Sequence, residues 1–476
     1  MALAQIEEAA EMAAAGPAEL AAGAALALLV GASFLWPRAP RRAATPAGLA
    51  LALVAGVTLL VALSFPLARL GAPFTGGSIA AFSILLAAVS WLTGRFRTAL
   101  ELGLELEPAA PGDHWSAAAG LLVVFGLALF AVKLSLAPLW TWDHFAVWGI
   151  KTRRMVVDGM LDLGFIDLSV FRAEPHYPLG LPWAWRLLSF GALPGDFAFK
   201  ACHALFALAL VAVTRHGALL LSGSRRIANG LAAWLAVSPV LWDTIGVGHA
   251  DLPLALWMAS ALVVGVSGLD SSTAVADGQA DGRGIWPLAL AGALAGFLPW
   301  IKQEGVIVAL AIVAALGLLI VRSGAPDRLR RLLALVLLAG AMIVAGRLEL
   351  NVAHTHGIDF FAGPWWTRAA ERIAQPGEIL HLAATFLLAP DWLGFWIVFA
   401  AACVVAAAWR RGTAAILCGL VVALVGVYVS IYFVTSLPPI NHLRGSFFRI
   451  LCPLMPVGLL AIAALFRPAA ATEAPE

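Results

Sequence analysis

Charge is scarce in this chain. Charged residues make up 12% of its 476, against roughly a quarter in a typical soluble protein, while hydrophobic residues make up 62%. A water-soluble chain of this length could not hide so much apolar surface, so composition excludes a soluble globular protein and defines a polytopic membrane protein. Cysteine is scarce as well. Cys202, Cys403, Cys418 and Cys452 all sit in apolar runs without metal-ligand spacing, which excludes a disulfide framework and reads as small core hydrophobes. The N-terminus is acidic (Glu7, Glu8, Glu11) and lacks the basic start of a signal peptide. No Walker A or dinucleotide motif is present, which argues against ATP-driven pumping. The net charge of +2 gives no sign of a nucleic-acid partner.

What fills the chain is apolar runs of membrane-spanning length. A span needs about 20 mostly apolar residues. Runs near 18–36, 47–68, 77–94, 117–139, 201–221, 227–243, 250–268, 285–301, 304–321, 331–347, 391–409, 413–434 and 450–466 predict an all-α integral membrane protein with about thirteen transmembrane helices. The segments 179–193 and 378–389 are too short to span and read as interfacial or re-entrant pieces.

Arginine clusters follow alternate spans: Arg38, Arg41 and Arg42; Arg95 and Arg97; Arg225 and Arg226; Arg322, Arg328, Arg330 and Arg331; Arg410 and Arg411. By the positive-inside rule these connections are cytoplasmic, the N-terminus is outside and the C-terminus inside. The 140–200 loop, the 243–251 turn, the Trp300–Gly305 turn and the 348–377 and 435–449 loops then share the extracytoplasmic side. Residues 269–284 form a small, polar, glycine-rich cytoplasmic linker.

The longest polar interruption runs from Leu139 to Tyr177. Read as a helix from about Trp142, it puts Asp143, Lys151, Arg154 and Asp158 on one face and Trp142, Phe145, Trp148, Met155 and Val156 largely on the other. Aromatics on the apolar side suit a membrane surface, and cations on the polar face suit an anionic ligand. A plainly solvated loop is the competing reading.

Asp143 just after a span, Trp148-x-x-Lys151 and His176-Tyr177-Pro178-Leu179 resemble the first external loop of the GT-C glycosyltransferases. The pattern is similar to the branch that holds protein O-mannosyltransferases and lipid A aminoarabinose transferases. Three later stretches extend the resemblance: His249-Ala250-Asp251-Leu252-Pro253, Trp300-Ile301-Lys302-Gln303-Glu304-Gly305, and His442-Leu443-Arg444-Gly445-Ser446-Phe447-Phe448-Arg449. It covers roughly 117–466, so 1–112 reads as an N-terminal extension with about three spans, 113–466 as the membrane catalytic module and 467–476 as a cytoplasmic tail. The sequence departs from the family in two ways. Three spans precede the loop, and Phe448 stands where an acidic residue often precedes the arginine.

The resemblance implies transfer of a sugar from a polyprenyl-phosphate donor to an acceptor hydroxyl on a glycan, lipid or protein. It also implies a multi-pass protein of the bacterial inner membrane with an extracytoplasmic site. The chemistry asks for matching residue types: a carboxylate to take the acceptor proton in an inverting displacement, and cations against the leaving lipid phosphate. Asp143 is the candidate base; a helix N-cap is its structural alternative. Lys302 and Arg449, with Lys151 and Arg154 behind them, are candidates for the phosphate; Lys302 could instead only pair with Glu304 or snorkel. His176, Tyr177, Asp251, Glu304 and His442 are candidates for substrate binding. Tyr177 could equally anchor the interface, and Asp251 could simply occupy a first helical turn. His354, His356 and Asp359 could ligate a divalent metal but lack a fourth partner, so no metal ligand is assigned. A secondary transporter or flippase of a lipid-linked or anionic substrate is the alternative class. It would show related halves and broken helices at the midplane, and no internal repeat is visible.

Overall fold

In this computed structural model the described residues are 15–35, 45–93, 113–136, 147–157, 177–193, 195–244, 249–270, 285–325, 327–352, 363–409 and 411–467. Their regular elements are all helices. In order these are α1 (Pro17–Leu35), α2 (Pro46–Arg69), α3 (Gly76–Thr93), α4 (His114–Leu136), α5 (Gly149–Val157), α6 (Gly180–Leu188) and α7 (Asp196–Ser222). Then come α8 (Arg225–Val237), α9 (Asp251–Asp270), α10 (Ile285–Gly296), α11 (Leu298–Ile301), α12 (Gly305–Arg322) and α13 (Arg328–Val352). The chain closes with α14 (Trp365–Ala374), α15 (Gly377–Leu387), α16 (Phe395–Ala408), α17 (Gly412–Val434), α18 (Pro439–Leu451) and α19 (Leu454–Ala464).

Local chemistry sets many of the boundaries. The Thr45 hydroxyl accepts from the Gly48 amide at 3.1 Å, and Pro46 follows at a position that needs no donor. Ser224 caps α8 in the same way. Gly223 closes α7 in the left-handed conformation, with its amide on the Leu219 carbonyl.

Nine of these helices are long and apolar enough to cross a membrane (α1, α2, α3, α4, α7, α9, α12, α13 and α17), or ten if α18 and α19 count as one span bent by 46°. The other four expected spans fall on shorter or broken helices. Pro239 follows α8 after 13 residues. The 285–301 run divides at Phe297, ahead of Pro299. A 3₁₀ turn at Pro390–Trp392 and Gly394 at φ 75° delay α16, which has 14 residues. Pro453 lies in the break between α18 and α19.

The two short segments differ from one another. All nine residues of α6 are buried, packed on α2, α5 and α11, so α6 is no surface-lying amphipath. By contrast, α15 buries only Ile379 and Ala383. Within the polar stretch that follows α4, α5 begins after a wider π turn at Val147 and Trp148. The expected polar face does not hold there. Lys151 and Thr152 are buried beside Met155 and Val156, because Lys151 Nζ donates to the Tyr177 carbonyl at 3.0 Å and Thr152 to the Trp148 carbonyl. Arg153 faces outward and ties α5 to α7 through Asp196 at 3.1 Å.

Small residues allow the closest helix approach. A Cβ on Gly56 would meet the Ala27 carbonyl oxygen at 1.8 Å, and one on Gly31 the Ala52 carbonyl oxygen at 1.8 Å, so α1 and α2 touch backbone to backbone. Gly56→Leu is expected to force α1 off α2 and cost about 1–3 kcal/mol. Unfolding of the variant in mixed detergent micelles measures this; an unchanged midpoint would show that the pair is not close-packed.

Contacts between helix ends sort the connections into two sets. Arg226 lies 3.7 Å from Asp113 at the start of α4, Arg331 reaches the Gly268 carbonyl near the end of α9, and Arg411 donates to the Arg467 carbonyl. A Cβ on Gly412 would touch the Arg322 guanidinium. The described arginine-rich connections therefore gather at one end of the bundle. The start of α9, the turn between α11 and α12, and the end of α17 gather at the other. Arg38, Arg41, Arg42, Arg95, Arg97 and Arg410 lie outside the described residues.

Candidate functional site

The α9 N-terminus places Asp251 in its first turn, and α9 is buried along almost its whole length. A helix N-terminus favours a carboxylate electrostatically, yet a buried charge must also be paired. The pair comes from residue 302. Pro299 breaks α10 from α12, and Lys302 takes an extended backbone (φ −151°, ψ 149°) at the end of the single-turn α11. The turn is tight because residue 305 has no Cβ: one would lie 2.2 Å from the Leu298 carbonyl oxygen. This aims Lys302 Nζ at Asp251 Oδ1, 2.8 Å away, and at Glu304 Oε1, 2.6 Å away.

The third cation comes from α18. Arg449 Nε lies 3.4 Å from Asp251 Oδ2, an ion pair without hydrogen-bond geometry, and Arg449 Nη1 donates to His249 Nδ1 at 3.0 Å. The His249 carbonyl is in turn 3.4 Å from Nε2 of the buried His203. Among the described residues, two cations, Lys302 and Arg449, face two carboxylates, Asp251 and Glu304. Asp251 and Lys302 are buried, whereas the side chains of Glu304 and Arg449 are 22% and 21% exposed, so the cluster opens on their side. Burial opposes the charge of Lys302, but Asp251 and Glu304 outweigh both burial and Arg449 and hold its pKa above the ordinary lysine value.

Two tyrosines of α17 complete the wall. Tyr428 is buried, feels the charges of Glu304, Lys302 and Asp251, and its hydroxyl has no hydrogen-bond partner among the described residues. One turn on, the Tyr432 hydroxyl pairs with Ser446 Oγ at 2.8 Å, and its ring meets His442 edge-on at 5.1 Å. His442 Nδ1 lies 3.2 Å from Thr435 Oγ1. The end of α17 is held from outside by α14. Arg372 donates to the carbonyls of Tyr432 and Thr435 at 3.0 and 2.8 Å, and Arg368 to that of Val434, supplying partners that the last helical turn lacks.

Of the candidates, then, Asp251, Lys302, Glu304 and Arg449 form one cluster, with His442 joined to it through Tyr432. Both structural alternatives hold as geometry, since Asp251 is in a first turn and Lys302 does pair with Glu304. Lys151 and Tyr177 bind each other at the edge. Trp148 packs edge-on against Tyr177 at 5.2 Å, and Gly180 abuts Trp300, two residues from Lys302. Arg154 is half-buried on α5. Asp143, His176, His354, His356 and Asp359 lie outside the described residues. Among the described residues, no three His, Cys, Asp or Glu side chains could hold a metal ion.

The sequence reading missed His203, Tyr428, Tyr432 and Ser446. A signal existed for two of them. The chain has three tyrosines, and two of them, Tyr428 and Tyr432, line this cluster.

Beside the cluster, α15, α16 and α17 border an apolar groove of about 630 Å³, lined by residues such as Leu387, Trp396, Phe399, Val422 and Val425. Val425, Tyr428 and Tyr432 share one face of α17 at spacings of three and four, so that face runs from the groove to the charges. Phe448, next to Arg449, packs on Trp392 at 4.9 Å and on Phe386 at 6.3 Å.

Fold and composition place the chain among multi-pass helical membrane proteins, with a largely buried cluster of paired charges at one end. Comparison with models of known families, with curated proteins and with solved structures gives no match.

Proposed function

We propose that the protein is a membrane glycosyltransferase that transfers a sugar from a polyprenyl-phosphate donor to an acceptor hydroxyl at the end of the bundle opposite its arginine-rich connections. One observation carries this reading. Asp251, Lys302, Glu304 and Arg449 converge from three distant stretches beside two buried oxygens, Asp251 Oδ2 and Tyr428 Oη, that take no hydrogen bond among the described residues. A merely structural ion pair would have those atoms satisfied; a binding site leaves them for the ligand. The neighbouring groove suits the isoprenoid chain, and the position at one end, rather than mid-bundle, favours an enzyme over a transporter. The thirteen-span GT-C architecture belongs to the same proposal, with the short helices α8, α10–α11 and α16 as additional crossings.

In this reading Arg449 and Lys302 hold the donor phosphate and stabilise its charge as it leaves, while Asp143 takes the acceptor proton. Because two carboxylates already face these cations, the phosphate must compete with one of them. Glu304 is the one that yields, since it is partly exposed and Asp251 is not.

Titration of the full-length protein with a short prenyl phosphate tests this. Wild type should bind the phosphate far better than the matching prenyl alcohol. Arg449→Ala should lose about 10–100-fold in affinity, the worth of a charge-assisted contact. Glu304→Gln should gain several-fold, because the internal competitor is gone. Equal binding of phosphate and alcohol by wild type would refute the reading.

A further inference from the structure

At the arginine-rich end, α4, α8 and the α19 region enclose a second cleft, of about 550 Å³. Ile227, Leu231, Trp234 and Ile462 make it apolar, Trp115 and Phe466 wall it, and Arg226 stands at its rim. Trp115 is fixed there, with its Nε1 donating to the Arg226 carbonyl at 3.0 Å and its ring lying over Gly230, where a Cβ would be 3.5 Å away. Trp115 and Phe466 are nevertheless 57% and 55% exposed, so both rings present themselves outward.

Among the described residues, three arginines stand near the rim against one carboxylate, Asp113. The Arg226 side chain is 73% exposed and reaches Asp113 only at 3.7 Å. That carboxylate is committed to capping α4, accepting from the Ser116 hydroxyl at 2.6 Å and the Ser116 amide at 3.3 Å, and these bonds hold its pKa below the ordinary aspartate value. Arg215 and Arg225 repel one another close by, and Arg215 is anchored on Asn229 at 2.7 Å, which itself donates to Ser116. Positive potential thus accumulates above an apolar slot flanked by an interfacial tryptophan.

We infer that this cleft seats one phospholipid with a net-negative headgroup, its acyl chain against α8 and Ile462 and its phosphate at Arg226. A zwitterionic lipid brings the same phosphate together with a cation that the arginines repel, so the cleft selects for net charge. The inference stands apart from the proposed transferase activity, since it concerns the other end of the molecule and none of the clustered residues.

The full-length protein in nanodiscs of mixed phosphatidylcholine and phosphatidylglycerol, examined by native mass spectrometry, provides the test. One phosphatidylglycerol should remain bound preferentially. Arg226→Gln should cut its retention about fivefold, and Arg226→Lys should keep most of it. Arg330→Gln removes an exposed arginine at the same end outside the cleft and should change nothing. Gly230→Leu narrows the slot with every arginine in place and should also reduce retention. Melting in phosphatidylcholine alone checks that each variant folds. Equal retention of the two lipids by wild type, or equal losses for Arg226→Gln and Arg330→Gln, would overturn the inference. So would undiminished retention in Gly230→Leu, which would reduce the effect to surface charge.

Discussion

Asp143→Asn is expected to lower sugar transfer from a prenyl-phosphate donor by about 10²–10⁴-fold while leaving donor binding intact. Asparagine keeps the size and shape of aspartate and removes its negative charge and basicity. If Asp143 takes the acceptor proton, the loss falls on turnover and not on the affinity for the phosphate, which Lys302 and Arg449 hold. Arg449→Ala should behave differently and lower both, because a phosphate contact exists before and during the reaction. Arg449→Lys should recover part of the loss, since a lysine cannot grip two oxygens in a plane. Asp143 lies outside the described residues, so its assignment rests on its position in the sequence before Trp148 and on the chemistry. The competing role, a helix N-cap, has its own signature: Asp143→Ala would cost about 0.5–2 kcal/mol of stability, and Asn, a good cap, much less. A folded, donor-binding Asn variant with near-normal transfer would remove Asp143 as the base.

Lys302→Met is expected to destabilise the protein by about 3–5 kcal/mol, and Asp251→Asn in the same chain to restore most of that. The single change leaves Asp251, which is fully buried, with Arg449 at 3.4 Å as its nearest described cation. Glu304 can turn to water, because its side chain is 22% exposed, but Asp251 cannot. The double variant replaces two charges by neutral groups of similar volume, which is close to neutral in energy where breaking half of a buried pair is not. Chemical denaturation of the four proteins in mixed micelles closes the cycle and yields the coupling directly. Were Lys302→Met within about 1 kcal/mol of wild type, the cluster would have to be wet, and its role as a pre-formed anion site would weaken. The reversal by Asp251→Asn separates this from a general sensitivity of the 302 turn.

Much of the architecture was legible in the sequence, because a helix buries apolar side chains by local rules. Thr45-Pro46, Ser224 and Gly223 mark helix ends through bonds to residues three or four away. The apolar runs placed α2, α7, α9, α12 and α17 to within a few residues. Local rules failed where a neighbour in space decided the outcome. Lys151 reads from its own helix as part of a polar face open to an anionic ligand or to solvent, and is buried because the Tyr177 carbonyl receives it. In the same way, α6 reads as interfacial or re-entrant from its length, and its neighbours cover it all round, which rules out a surface-lying helix.

The sequence alone determined the class of this protein, since 62% apolar residues and only 12% charged ones leave no soluble alternative. It also singled out Asp251, Lys302, Glu304 and Arg449, which lie in turns assigned to one side of the membrane and in stretches that resemble the GT-C glycosyltransferases. That these four form one cluster was decided by tertiary structure. Lys302 meets Asp251 across 51 residues and Arg449 meets His249 across 200, and no periodicity reaches that far. Packing also brought in Tyr428 and His203, whose apolar runs mark them as rare polar residues but not as neighbours of the charges until α17 and α7 come to rest there. The physical reason is one of range. Hydrophobic pattern and caps act over a few residues along the chain, whereas pairing of buried charge acts over a few ångströms in space, and only the packed bundle converts one into the other.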